Sequence, residues 1–278
     1  MGNINTEHTF IGSKSEQLIR GLITANKQLF DIKDACKILK EGSPKTTSQL
    51  LRCMSRRGMV MKISGGIYSL LPQGKTPDEF FPDWHLTAQE LVKNKPYYIG
   101  FYSALDIHGL ITQPSLSEQI VTIKQIVPKY KTIGKVKFEF ICYNKEHFFG
   151  FENTWIDNFN KVQCSDIEKT IIDCLFKPEY GSGITEIIKA IYTAREKINE
   201  EKMLSYLEKF GSQSVLKRLG YILTNLDIFF LLRKYIETNI TKVYTPLDPS
   251  LPKAGKYNSK WSILDNIDIK ETLNSINN

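Results

Sequence analysis

The sequence predicts an α+β protein, mainly helical, built as two domains. Apolar residues recur at helical spacing through residues 14–57 and again from 165 to 237, whereas β-forming runs cluster at 59–71 and 118–144. A segment holding three prolines, PQGKTPDEFFPDW (72–84), separates the first quarter from the rest. The length, 278 residues, exceeds that of a typical single domain. The expected division is 1–77 and 78–278.

Within KSEQLIRGLITANK (14–27), Leu18, Ile19, Leu22 and Ile23 fall on one helical face. LFDIKDACKILKEG places Ile32, Ala35, Cys36 and Leu39 on the face of a second helix, with Asp31 as N-cap and Gly42 as stop. Ser43-Pro44 makes a turn, and a third helix runs from about Thr46 to Arg57 and ends at Gly58. Thr47, Leu50, Leu51 and Met54 line its apolar face. MVMKI and IYSLL then read as strands joined at Ser64-Gly65-Gly66, where Gly-Gly supplies the positive φ values of a tight hairpin. Three helices followed by a hairpin is the winged helix-turn-helix order.

Charge distinguishes this segment. Residues 1–77 hold twelve Lys/Arg and five Asp/Glu, while residues 78–278 hold twenty-five of each. The whole net charge of +7 therefore falls in the first quarter, which suits a polyanionic partner. Lys45, Gln49, Arg52 and Arg56 share the polar face of the third helix, with Ser48 beside them and Arg57 at its end. A helix fits the major groove of DNA, and Arg and Gln are suited to guanine and adenine edges. Lys45, Thr46 and Ser48 suit phosphates at the helix start, and Lys62 and Ser64 on the hairpin suit the adjacent backbone. Double-stranded DNA is the expected partner, read through these nine residues.

Behind the proline-rich segment, residues 85–95 and FYSALDIHGL (101–110) read as helices. EQIVTIKQIV and KVKFEFICYN read as paired strands bridged by PKYKTIGK. SDIEKTIIDCLF opens with Ser165-x-x-Glu168, a capping-box pattern, and Asp173 falls on the exposed side of that helix. Further helices are expected at 184–197, 200–210, 212–226 and 228–237, before a loop-like, proline-rich tail.

Enzymatic chemistry finds little support. Asp166, Glu168 and Asp173 form a conceivable carboxylate cluster, but Glu200-x-Lys202 lies in a helical stretch and Lys137 precedes Glu139 on its strand. That is the wrong arrangement for a nuclease of the restriction type. His108 reads as a cap or core residue, and Lys217, Arg218, Lys253, Lys256 and Lys260 as scattered surface charges. The five cysteines, odd in number and without a CxxC pair, read as reduced and mostly core. No catalytic residue, metal ligand or cofactor is assigned. The lack of an 18-residue apolar run or a signal-peptide pattern points to a cytoplasmic protein with no membrane partner.

FYSALDIHGLITQ, CSDIEKTIIDCLFKPEYGSGI, KRLGYILTNL and LDPSLPKAGKYNSKW follow one another behind the winged-helix head. In that order they resemble the AbiEi family of antitoxins and transcriptional regulators, from bacterial abortive-infection toxin–antitoxin systems. The resemblance runs from about Lys14 to Asn266, and residues 1–13 form a longer polar arm than the family carries. It implies a winged helix that binds inverted repeats in its own promoter, a larger C-terminal α/β domain that counteracts a nucleotidyltransferase-like toxin, and no enzyme. The matching residues, among them Ser103, His108, Glu168, Lys169, Asp173, Arg218, Gly220, Asp248 and Trp261, read as mainly architectural. Two other readings remain: a standalone transcription factor with a ligand-sensing or oligomerising second domain, and a DNA-targeted nuclease.

Overall fold

The computed structural model describes residues 13–40, 43–111, 113–115, 117–267 and 269–272. The arm over residues 1–12 and the helix stop expected at Gly42 lie outside them. The chain is α+β and divides into two compact units, Met1–Lys93 and Asn94–Asn278.

The first unit begins with helix α1 (Ser13–Thr24), whose Leu18 and Leu22 are fully buried. A short strand, β1 (Leu29–Asp31), leads directly into α2 (Ile32–Leu39). The sequence reading merged this strand with the helix, because three residues are too few to show alternation. Asp31 caps α2 as expected: its carboxylate accepts from Asp34 N at 2.8 Å, and Asp34 accepts from Asp31 N at 3.1 Å. The two helices approach closely at Gly21, where a Cβ would stand 2.3 Å from Ile38.

Helix α3 (Pro44–Arg56) starts on proline, whose missing N–H costs nothing in a first turn. Thr47, Leu51 and Met54 are its buried face. Strands β2 (Val60–Ser64) and β3 (Ile67–Leu70) form the hairpin, with φ +49° at Gly65 and +93° at Gly66. β1 joins β3 antiparallel, giving a sheet of order β1-β3-β2. Leu18, Phe30, Leu51, Met54 and Tyr68 meet in the core beneath it.

Helix α4 (Trp84–Leu91) follows, capped by Asp83. Lys93 then pairs with Asp34 at 2.7 Å, Glu90 at 3.2 Å and Asp31 at 3.3 Å. The first unit therefore closes at Lys93 rather than at residue 77, and the prolines of 72–84 lie inside it. With that boundary it holds thirteen Lys/Arg against nine Asp/Glu, so the positive charge belongs to α3 and the hairpin rather than to the whole unit.

The second unit holds a six-stranded mixed sheet. Its strands are β4 (Tyr97–Ile99), β5 (Ser117–Thr122), β6 (Tyr130–Ile133), β7 (Val136–Cys142), β8 (Phe151–Trp155) and β9 (Lys161–Ser165), in the order β6-β7-β5-β4-β9-β8. Helix α5 (Phe101–Ile107) lies between β4 and β5. β5 and β7 pair as expected, in parallel, and the segment read as a bridge between them supplies β6. Helices α6 (Ile167–Phe176), α7 (Ile184–Ala194), α8 (Glu200–Phe210), α9 (Gln213–Leu226) and α10 (Phe230–Asn239) follow. The tail, expected to be loop, contains β10 (Thr245–Pro246), β11 (Lys256–Asn258) and β12 (Ile263–Asp265), a small sheet of order β10-β12-β11.

Candidate nucleic-acid interface

Burying Thr47, Leu51 and Met54 turns the opposite face of α3 to solvent. Lys45, Thr46, Gln49, Arg52, Arg56 and Arg57 are exposed there, and Ser48 is half-buried. On the hairpin Lys62 is exposed and Ser64 half-buried. Ser48, Arg52, Arg56 and Lys62 converge on an open groove of about 480 Å³ between α3 and the hairpin. Lys45, Thr46 and Gln49 stand toward the start of α3, Arg57 is its C-cap and Ser64 closes β2; none of the five lines the groove.

Four groove residues, Ile32, Ser55, Gly66 and Tyr68, were not among the predicted site residues. Ser55 was legible: it follows Ser48 by seven positions and Arg52 by three, and so shares their helix face. Tyr68 was not, because only the β2–β3 register sets it opposite Lys62 and so brings both residues to the groove.

Two electrostatic features bear on this face. Among the described residues no carboxylate pairs with Lys45, Arg52, Arg56, Arg57 or Lys62; the side-chain partner of Arg56 is Cys53 Sγ at 3.8 Å. Among the described residues no side chain caps the start of α3: Ser43, its N-cap, makes no side-chain capping bond. The Lys45 and Thr46 N–H groups thus point outward at the positive end of the helix. Among the described residues, Glu16 pairs with Arg20, Asp31, Asp34 and Glu90 pair with Lys93, and Asp83 caps α4. Burial works to raise the Asp34 carboxyl, but hydrogen bonds from Lys27, Lys93 and the Asp31 N–H hold it well below the usual carboxylate range.

In the second unit the carboxylates considered for catalysis take structural places. Asp166, not Ser165, is the N-cap of α6, accepting from Lys169 N at 2.9 Å; the Ser165 hydroxyl lies 2.7 Å from Thr170 Oγ1 instead. Glu168 accepts from Asn199 N at 2.8 Å and pairs with Lys202 at 3.0 Å. Asp173 is fully buried rather than exposed, and forms an ion pair with Lys169, itself fully buried. Tyr98 donates to Asp173 at 2.9 Å and accepts from Lys169 at 3.1 Å. The rings of Tyr98, Tyr143, Phe149 and Phe210 surround the ammonium at 5.1–5.3 Å. Burial lowers the Lys169 pKa and raises that of Asp173.

Lys217 and Arg218 are buried as well, against the surface placement expected. Lys217 donates to Thr241 Oγ1 at 2.9 Å, and Arg218 to the Leu175 carbonyl at 2.6 Å. Burial pulls the Arg218 pKa down to about 10. His108 caps α5, with Nε2 2.7 Å from the Ser165 carbonyl. Of the cysteines, Cys164 and Cys174 are buried, Cys36 is half-buried and Cys53 and Cys142 are exposed, so the expected core placement holds for two.

No protein-family model and no curated protein matches this chain. Among solved structures it is similar to the RV2827C protein from Mycobacterium tuberculosis, at 13% sequence identity and a TM-score of 0.70 over 95% of each chain. At that identity the likeness establishes the shared fold.

Proposed function

We propose that this chain is a DNA-binding transcriptional repressor and the antitoxin of an AbiE-like system. In this reading residues 13–71 form a winged helix that binds inverted repeats in the chain's own promoter. The second unit counteracts a nucleotidyltransferase-like toxin, in the cytoplasm and without a catalytic step. The observation that carries the DNA-binding part is that Arg52, Arg56 and Lys62 converge on one groove and are free of carboxylate partners among the described residues. α3 enters the major groove, its uncapped N-terminus and Lys45 hold phosphates, and Lys62 braces the flanking backbone. The antitoxin part rests on the resemblance of the four segments described above.

A gel-shift titration with the DNA upstream of the coding sequence tests the first part. Full-length protein is expected to retard it, and Arg52→Ala/Arg56→Ala to abolish retention with the fold intact; undiminished binding would refute the reading. Growth rescue on co-expression with the product of the adjacent gene tests the second. No helix among the described residues is long and apolar enough to cross a membrane.

One observation favours a second reading, a ligand-sensing regulator. An open cleft of about 860 Å³ in the second unit is lined by Tyr221, Asp248, Lys256, Tyr257 and Asp265. Dissociation of the DNA complex by a small molecule, lost on Tyr257→Ala, would favour it.

A further inference from the structure

The six-stranded sheet ends in two edges of opposite character. β6 carries Lys131 and is flanked by Pro128, Lys129 and Lys135, the kind of residues that keep an exposed strand from pairing. β8, with the sequence FENTW, has neither proline nor lysine, and Trp155 is 58% exposed. Just beyond it Phe159 is 75% exposed.

The ladder determines which backbone groups face outward. Asp166 N donates to the Gly150 carbonyl at 3.0 Å, and Ile156 N to the Asn160 carbonyl at 3.1 Å. The β8–β9 register between them sets Glu152 opposite Cys164 and Thr154 opposite Val162. In an antiparallel pair, hydrogen-bonded positions alternate, so even-numbered residues of β8 bond to β9. The N–H and C=O groups of Phe151, Asn153 and Trp155 therefore point to the open edge.

We propose that β8 is a docking edge for a second copy of this chain, paired antiparallel about a twofold axis at Asn153. The argument is self-complementarity. An axis there sets odd residues opposite odd ones, so all the outward groups exchange hydrogen bonds. Phe151, half-buried against Tyr98 and Phe148 with centroids at 5.1 and 5.0 Å, faces the partner's Trp155. Aromatic pairs of this kind stabilise neighbouring strands. Glu152 faces the partner's Thr154, so no carboxylate meets another. The Thr154 hydroxyl has no hydrogen-bond partner among the described residues, and a χ1 rotation turns it toward the partner's Glu152. Moving the axis to Glu152 would set that carboxylate against itself. Moving it to Thr154 would separate the aromatic pairs and set Glu152 opposite the partner's Ile156. The proposal is independent of DNA binding.

Sedimentation velocity of the full chain over a concentration series tests it. A single strand pair is a small interface, so self-association with a Kd on the order of micromolar is expected, with a mass rising to twice that of one chain. Asn153→Pro removes an outward N–H that β9 does not use, and edge strands tolerate proline there. It is expected to stay monomeric with an unchanged circular dichroism spectrum. Trp155→Glu, at an exposed position, gives a second variant and is expected to weaken association by about tenfold or more. A wild-type chain that stays monomeric throughout would overturn the proposal. So would a dimer unaffected in both variants, or an edge that binds only a different chain.

Discussion

Lys169→Met removes the cation of the buried pair while keeping the length and apolar character of its stem. Asp173 then loses its ion-pair partner at a position with no solvent exposure. Removing one member of a buried pair typically costs about 3–5 kcal/mol, because the remaining charge is uncompensated. The hydrogen bond from Tyr98 at 2.9 Å survives, so the expected loss is at the lower end, about 3 kcal/mol. The pH dependence has a definite sign. Burial already raises the Asp173 pKa, and losing Lys169 raises it further. The folded variant then binds a proton that the unfolded chain releases, so its stability falls as pH rises through the folded-state value. Urea denaturation at pH 5 and pH 8, followed by circular dichroism, reads this out. The deficit is expected to be larger at pH 8, and the double variant Lys169→Met/Asp173→Leu to recover most of it. A loss below about 1 kcal/mol at pH 8, or a double variant no better than the single one, would refute the reasoning.

Lys45→Ala and Lys62→Ala are each expected to make the slope of log K against log[salt] shallower by about 0.9, with an unchanged melting curve; a salt titration of DNA affinity checks this. Gly220→Ala is expected to destabilise the second unit by about 1–3 kcal/mol, since a Cβ would stand 2.2 Å from Cζ3 of the buried Trp261; a shift in melting temperature reads it. Lys93→Met is expected to cost about 1 kcal/mol, because the lysine is partly exposed. The lowered Asp34 pKa makes that contribution present above the ordinary carboxylate range, near pH 4, and lost as pH falls through the folded-state value, so wild type and variant converge in acid.

Elements governed by local spacing were legible in the sequence. α8 runs over 200–210 as its periodicity predicted, and the polar face of α3 is exposed as its i, i+4, i+7 pattern required. Elements defined by distant partners were not. β4 is three buried residues, Tyr97–Ile99, with no alternation, and it becomes a strand through β5 and β9. Asp173 was placed on the surface because helical spacing sets charged residues outward. It is inside because Lys169 one turn earlier and Tyr98, 75 positions away in sequence, satisfy its carboxylate. An i, i+4 Lys–Asp pair embedded in IEKTIIDCLF was the available signal, and a wholly apolar environment for it was not visible locally.

The strand order also sets a timetable for the growing chain. The β6–β7 and β8–β9 hairpins pair residues close in sequence, so each can form as soon as it emerges. The β4–β9 ladder joins Ile99 to Cys164 and must await the end of β9. Until the ribosome has released about residue 165, one side of β4 is unpaired and helices α6 to α10 have not yet been made. A nascent chain stalled between residues 125 and 160 therefore exposes its apolar sheet, which makes this interval the one in which the protein depends most on chaperones.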